Sequence, residues 1–312
     1  MADEMAMEPR GSSAGHNGGT VLVTAGFGMQ AQLLIPLLAA AGLRVRAMRA
    51  SQGDGPGPLE LGAHEVVVGD ASDPDDARRA LEGVDRVYHV GPTFHPRERE
   101  MGINMVRQAR EAGVRHFVFS SVLHPILTGL TQHVHKREIE ECLLESGLNF
   151  TILQPADYMQ ASIGGYSAHG DTYALGWVLE RRQSLVDLND VAEVVTKVLV
   201  EGEVHHGATY ELCSADCLTA HEIAQALSEA TGRTVTARMI PWSEKAYRAF
   251  FRTDDLDSVR YGVAAFETLN GWYDRFDFVG NSNVLRMLLG REPTRYAEFA
   301  RRFLARTPYL TS

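Results

Sequence analysis

A glycine-rich segment near the start of the chain has residue types and spacing that suit binding of a phosphate group. Its sequence, VTAGFGMQA over residues 23–31, follows a short apolar run and opens a stretch of helical length. Glycines let a backbone approach a pyrophosphate closely, and the free amides of a helix N-terminus attract the anion. The segment fits G-x-G-x-x-A at Gly26, Gly28 and Ala31, or a degenerate G-x-x-G-x-x-G. It favours a phosphate site over a turn that uses glycine only for its shape.

The end of the second predicted strand indicates which dinucleotide would bind. An acidic residue there would hydrogen-bond the ribose 2'-hydroxyl and select NAD, but this strand ends in Arg46, Ala47, Met48 and Arg49. Arg49 lies 21 residues after Gly28, and a guanidinium suits a phosphate dianion. The alternative is a solvated surface arginine. We therefore predict NADP(H) as the cofactor.

Two further side chains are candidates for proton transfer beside a bound cofactor. Lys136 shares a predicted helix face with Ile139 and Leu143, and a lysine on an apolar stripe is unusual because burial of its charge is costly. It could exchange a proton with a substrate, or only bind ribose hydroxyls or extend to water. His124 follows a strand at the carboxyl edge of the sheet, where ligands bind. It could donate a proton or line the pocket, and a histidine packed in a loop is the alternative.

Other aromatic and histidine residues carry weaker signals. Phe94, Tyr158 and Trp177 are candidates for the wall of a substrate pocket, with His124 beside them, although aromatic residues at such places are more often part of the core. The pair His205 and His206 has no third ligand nearby, so we interpret it as surface and predict no metal site.

The elements that must position these residues alternate between strand and helix. Predicted strands occupy 20–24, 43–48, 65–68, 86–90, 116–120 and 149–153, and predicted helices occupy 29–41, 73–81, 97–112 and 131–146. This alternation of helices with near-continuous apolar strands predicts an α/β fold with a doubly wound parallel sheet of the Rossmann type.

The regular alternation of strands and helices ends after Pro155, and this predicts a domain boundary there. Residues 20–155 are expected to form the NADP-binding domain, with a segment at about 186–213 returning to it. Residues 156–312 are expected to form a smaller α/β substrate domain, and residues 1–19 a disordered leader.

Composition restricts the class of protein. The 312 residues carry a formal net charge of -10 and no dense basic run, which disfavours nucleic acid as a partner. No apolar run reaches the ~18 residues of a membrane helix, and the three cysteines suit reduced thiols. We expect a soluble cytoplasmic protein, monomeric or homodimeric, that binds a small molecule.

Several segments together resemble the NmrA-like branch of the atypical short-chain dehydrogenase/reductases, over about residues 20–305. Besides the glycine-rich segment, the resemblance rests on VRAMR (45–49), EVVVGD (65–70), YHVGP (88–92), SSVLHP (120–125), HVHK (133–136) and NFTILQP (149–155). Each segment alone is weak, and their order and spacing make the resemblance specific.

The resemblance implies roles for individual residues. Arg49 would bind the 2'-phosphate, Asp70 would border the adenine, and Lys136 would reach the nicotinamide ribose. Gly91 and Pro92 would line the cofactor, and Ser120 and Ser121 would lie beside the nicotinamide. The predicted cofactor-binding residues are Thr24, Gly26, Phe27, Gly28, Met29, Gln30, Arg49, Asp70, Gly91, Pro92, Ser120, Ser121, Lys136 and Pro155.

Two departures from the family pattern bear on the function. Ala25 stands where the family loop has its first glycine, and Gln132 stands four residues before Lys136, where typical short-chain enzymes have the tyrosine acid. We favour an NADPH-dependent reductase of an aromatic, quinone-like or other conjugated small molecule. The absent tyrosine keeps two alternatives open: a biosynthetic enzyme that retains NADP(H) as a structural element, and an NADP(H) redox-sensing regulator with a protein partner.

Overall fold

Parallel strands form the central sheet of the computed structural model, which describes residues 18–50, 57–167, 170–241, 243–244, 248 and 253–306. Residues 1–17 of the predicted leader lie outside the described residues. The strands of this sheet are β1 (Thr20–Val23), β2 (Arg44–Arg49), β3 (Glu65–Val68), β4 (Arg86–Val90), β5 (His116–Ser120), β6 (Phe150–Pro155) and β10 (Ala208–Leu212). Their spatial order is β3-β2-β1-β4-β5-β6-β10, so the predicted α/β class and doubly wound topology are confirmed.

Two helical layers cover the sheet because its strands are apolar on both faces. One layer contains α1 (Met29–Ala40) and α7 (Leu188–Glu201), which pack against each other. The other contains α2 (Pro74–Leu81), α3 (Glu98–Glu111) and α4 (Thr131–Glu145). Val21 and Val23 of β1 face the first layer and Leu22 faces the second, as the period of two in a strand requires.

The remaining elements pack in part around a third apolar cluster, whereas α9 and α10, whose ranges follow, pack on the cluster that contains α1 and α7. They are β7 (Asp157–Tyr158), α5 (Met159–Ser162), α6 (Gly164–Ser167), β8 (Thr172–Leu175), β9 (Gln183–Val186), the 3-10 turn Gly202–His205, β11 (Cys217–Leu218), α8 (Ala220–Thr231), β12 (Thr236–Met239), α9 (Leu256–Tyr273), α10 (Asn283–Leu289) and α11 (Tyr296–Arg306). No helix in the described part of the chain is long and apolar enough to cross a membrane.

Local sequence signals account for several element boundaries. The side chain of Asp73 accepts hydrogen bonds from the amides of Asp75 and Asp76 and so begins α2. Thr219 and Glu222 form a reciprocal capping box at the start of α8. The strand expected to end before Pro155 instead includes it, because β10 pairs alongside and the Pro155 carbonyl accepts the amide of Leu123.

Candidate functional site

The glycine-rich turn lies between the carboxyl end of β1 and the start of α1, at the point where the strand order reverses. Ala25 takes a φ of 51°, a left-handed conformation that glycine adopts more easily. The turn is closed by a 2.6 Å hydrogen bond from the Gly28 amide to the Ala25 carbonyl. The alanine therefore keeps the backbone shape that the absent glycine would favour.

Close packing around the turn explains its two remaining glycines. A Cβ on Gly26 would lie 3.2 Å from the Cβ of Ala47, and one on Gly28 would lie 3.0 Å from the Ala25 carbonyl oxygen. The N-terminus of α1 has no side-chain cap and no acid in its first turn. Its amides therefore remain available to an anion.

Arg49 ends β2 next to this turn. Its guanidinium carbon lies 5.2 Å from the centre of the Phe27 ring, so the cation stacks over an aromatic residue of the turn itself. The structure thus brings together the glycine-rich turn, a planar ring and a guanidinium, and the strand-end spacing predicted the guanidinium's position beside the turn.

Asp70 is held at the same edge by two neighbours. Ser72 donates a 2.6 Å hydrogen bond to one carboxylate oxygen, and Arg97 lies 3.1 Å from the other. Burial alone would raise the pKa of Asp70, but the Ser72 hydrogen bonds and the Arg97 charge outweigh it and lower the pKa. The carboxylate is therefore ionised and fixed in orientation.

Gln30 joins the turn to the rest of the edge through its side-chain amide. Its Nε2 donates to the Tyr158 hydroxyl at 2.7 Å and lies 3.2 Å from Oγ of Ser120. Its Oε1 accepts a hydrogen bond from the Tyr88 hydroxyl. One buried side chain thus links α1, β4, β5 and β7, and it brings Tyr158 beside Ser120 at the carboxyl end of β5.

Lys136 is buried at this edge, and its counter-charge is a residue that the sequence analysis missed. Its ammonium lies 2.9 Å from a carboxylate oxygen of Glu98 and donates to the Ser120 carbonyl at 3.1 Å. The two side chains are 5% and 0% exposed. Gly91 packs closely against the Glu98 side chain, since a Cβ on Gly91 would lie 3.2 Å from it. Glu98 sits in a run of charged residues, so nothing in the sequence marks it as buried.

Thr24 and His89 are buried next to the glycine-rich turn, where β1 and β4 lie side by side. The Thr24 hydroxyl donates to the Val90 carbonyl and accepts the Val90 amide, which ties β1 to β4. His89 lies 3.2 Å from this hydroxyl and stacks on Phe119. Burial first, and then the charge of Lys136, lowers the pKa of His89 to about 3, so its ring is neutral at physiological pH.

His124 lies apart from the Lys136 network in its described contacts. Its Nε2 bonds the Val279 carbonyl at 2.8 Å, its ring packs edge-on to Phe278, and its Nδ1 lies 3.9 Å from Glu211. The backbone φ angle of His124 is 56°, in the left-handed region. The histidine predicted as a proton donor is therefore held at the β10 side of the sheet.

Two of the predicted aromatic residues, Phe94 and Trp177, pack on α9, which the sequence analysis did not identify as part of the site. Phe94 stacks on Phe266 at 4.2 Å, and Trp177 packs against Tyr273 at 4.8 Å. The Tyr273 hydroxyl donates to Asp157 at 3.0 Å. Burial raises the pKa of Asp157 to about 6, and the Tyr273 hydrogen bond opposes this shift.

The other predicted residues take three kinds of position. Met29 and Pro92 are exposed at the edge, next to the turn and to β4 respectively. Ser121 is buried, with its amide bonded to the Leu153 carbonyl. Pro155 is buried inside β6. His205, expected at the surface, is buried because Glu201 and Tyr210 bond its two ring nitrogens.

Comparison with known proteins places this geometry in a family. A model of the NmrA-like family matches residues 17–284. The chain is 28% identical over 297 residues to an NAD(P)H azoreductase of Xenophilus azovorans, covering 90% of this chain and 96% of the relative.

Two solved structures share the fold at lower identity. An NADPH-dependent quinone oxidoreductase of Escherichia coli, complexed with NADPH, matches with a TM-score of 0.72 and 21% identity, covering 91% of this chain and 99% of the other. The negative transcriptional regulator NmrA, in complex with NADP, matches with a TM-score of 0.75 and 19% identity, covering 94% and 97%. An enzyme and a regulator thus share this architecture.

Proposed function

This chain belongs to the NmrA-like family, and we propose that it binds NADP(H) and reduces a quinone-like, aromatic or otherwise conjugated small molecule. The azoreductase and the quinone oxidoreductase among its relatives are named for acceptors that share one property, an extended conjugated system that accepts two electrons. The bound cofactor would supply a hydride, and the protein must supply orientation and a proton.

The residues at the turn fit the phosphates of the cofactor. The uncapped amides of α1 suit the pyrophosphate. Arg49, stacked on Phe27 beside the turn, suits the 2'-phosphate because a guanidinium offers two parallel donors. Asp70, ionised and oriented by Ser72 and Arg97, suits the adenine end.

The observation that carries the proposal is the position of the Tyr158 hydroxyl. It accepts the Gln30 amide at 2.7 Å, so its own proton is left to donate. Burial raises the pKa of Tyr158, which keeps the hydroxyl protonated at neutral pH. Next to Ser120, it can give its proton to the oxygen or nitrogen atom of a reduced acceptor. Tyr158 thus takes the role that Gln132 leaves vacant in the sequence.

Lys136 has a positioning role in this proposal. Its ammonium is engaged by Glu98 and by the Ser120 carbonyl, so it fixes the end of β5 beside Tyr158. The substrate would lie against Phe94 and Trp177, which pack on Phe266 and Tyr273 of α9.

The test is cofactor binding and turnover measured on the same protein. Calorimetric titration with NADPH and NADH in parallel should show tight NADPH binding and much weaker NADH binding. Menadione and methyl red should then cause loss of NADPH absorbance, with one acceptor molecule reduced per NADPH when the acceptor is a quinone. NADPH binding without turnover of either acceptor would overturn the reductase function and leave the redox-sensing regulator and the non-redox enzyme as the alternatives. Binding of neither cofactor would overturn the proposal altogether.

A further inference from the structure

A second concave region lies at the amino-terminal edge of the sheet, opposite the glycine-rich turn. Its volume is about 690 Å³, within the range of small-molecule sites. It is bordered by the first residues of β4 and β5, by the loop before β6, and by the ends of α3 and α7. The side chains used below are Arg86, Arg110, Arg115, His116, Glu201 and Glu203.

Two arginines line this cavity without a direct ion-pair partner among the described residues. Arg86 and Arg110 form no ion pair or hydrogen bond with any residue that the structure describes, whereas Arg115 pairs with Asp85 at 2.8 Å. Nη1 of Arg86 is buried without a hydrogen-bond partner in the described part of the chain. Desolvation first, and then the charge of Arg115, lowers the pKa of Arg86, and the nearby charge of Asp85 offsets these effects only in part.

His116 supplies a second unsatisfied group at the back of the cavity. Its ring is 2% exposed, and its Nε2 lies 2.9 Å from the Thr151 hydroxyl. That hydroxyl donates to the His205 carbonyl, so Nε2 carries the proton and Nδ1 is an acceptor. Nδ1 has no partner among the described residues. A buried polar atom without a partner is unfavourable, which favours a ligand or an ordered water there.

We propose that this cavity binds a small phosphorylated molecule that also carries hydroxyl groups. The phosphate contacts the guanidinium groups of Arg86 and Arg110, which offer paired donors to its oxygens. Glu203 and Glu201, whose Oε2 also bonds His205, line the same cavity and accept hydrogen bonds from the hydroxyl groups. The site uses the amino ends of the same strands whose carboxyl ends form the proposed NADP(H) site, so it is separate from the cofactor.

The experiment is calorimetric titration of the full chain with inorganic phosphate and with glucose 6-phosphate. Phosphate can also bind at the glycine-rich turn, so the titrations are repeated in an Arg49→Gln background. The sugar phosphate should bind in that background, and more tightly than inorganic phosphate because of its hydroxyl groups. Arg110→Gln and Arg86→Gln should each weaken binding by at least about tenfold, the effect of one charged hydrogen bond.

The location is checked with a matched control and a local probe. Arg107→Gln removes an exposed arginine of α3 that does not line the cavity, and it should leave binding unchanged. The ring resonances of His116 and His206 should shift on addition of glucose 6-phosphate. Binding that survives both Arg86→Gln and Arg110→Gln, or that is lost in Arg49→Gln alone, would overturn the proposal. Absence of any binding to the unmodified chain would do so as well.

Discussion

The ammonium of Lys136 and the carboxylate of Glu98 form an ion pair 2.9 Å long that is almost completely shielded from water. Each charge compensates the desolvation cost of the other, because an isolated ion buried to this extent would be strongly destabilising. The pair lies directly below Gly91 and Ser120, two residues of the proposed cofactor edge. It therefore connects the stability of the protein with the shape of its site.

Glu98→Leu should reduce the free energy of unfolding by about 3–5 kcal/mol, because it leaves the Lys136 charge buried and unpaired. Urea denaturation followed by circular dichroism measures this loss. The double variant Glu98→Leu/Lys136→Met should recover most of the stability, since it removes both charges. Arg78→Gln, which breaks the exposed pair with Asp75, is the control and should cost less than about 1 kcal/mol. If Glu98→Leu and Arg78→Gln reduced the free energy of unfolding equally, Glu98 would not be the buried counter-ion of Lys136.

Tyr158→Phe should lower kcat for quinone reduction about 100-fold or more, the usual contribution of a positioned acid. The change removes only the hydroxyl, so the affinity for NADPH measured by calorimetry should stay within about twofold of its original value. Tyr210→Phe is the matched control, because Tyr210 bonds His205 far from the proposed site. Unchanged turnover in Tyr158→Phe would show that another group supplies the proton.

Arg49→Gln should weaken NADPH binding by about 10- to 100-fold and leave NADH binding nearly unchanged. The reason is that a charged hydrogen bond contributes about 1.5–3 kcal/mol and NADH lacks the 2'-phosphate. Calorimetry with both cofactors measures the ratio directly. Arg44→Gln, at the exposed start of the same strand, should alter neither affinity. If the affinities for NADPH and NADH fell by the same factor, Arg49 would support the fold of the turn and would not bind the 2'-phosphate.

Asp157 should make stability fall as pH rises through the mildly acidic range. Burial raises its pKa to about 6 in the folded protein, above its ordinary value of 3.8. Between these values the folded state keeps a proton that the unfolded chain has lost, so the unfolding free energy decreases with increasing pH. The loss is at most about 3 kcal/mol for a shift of this size.

Comparison of the unmodified chain with Asp157→Asn isolates this effect. The stability of the unmodified chain relative to the variant should decline between about pH 4 and pH 6 and be constant above that range. Urea denaturation at a series of pH values provides the measurement, and Asp257→Asn, at an exposed carboxylate of α9, serves as the control. A relative stability that rises with pH would mean that Asp157 is stabilised as an anion.

The sequence by itself determined the sheet and the turn, because both depend on local signals. Alternating apolar strands and helices, the Asp73 cap and the spacing of Gly26 and Gly28 are properties of neighbouring residues, and the structure confirms the elements that they predicted. The position of Arg49 beside the turn also followed from a fixed number of residues between two strand ends.

Tertiary structure alone decided which side chains meet at the carboxyl edge. Glu98 joins Lys136, and Gln30 joins Tyr158, across 38 and 128 positions of sequence. No local pattern encodes such pairs, since burial converts an ordinary glutamate into a counter-ion and a glutamine into a bridge only after the sheet has formed. For the same reason the sequence did not show that His124 bonds the Val279 carbonyl and packs against Phe278. Local periodicity fixes elements, whereas the chemistry of a site depends on contacts between elements that folding brings together.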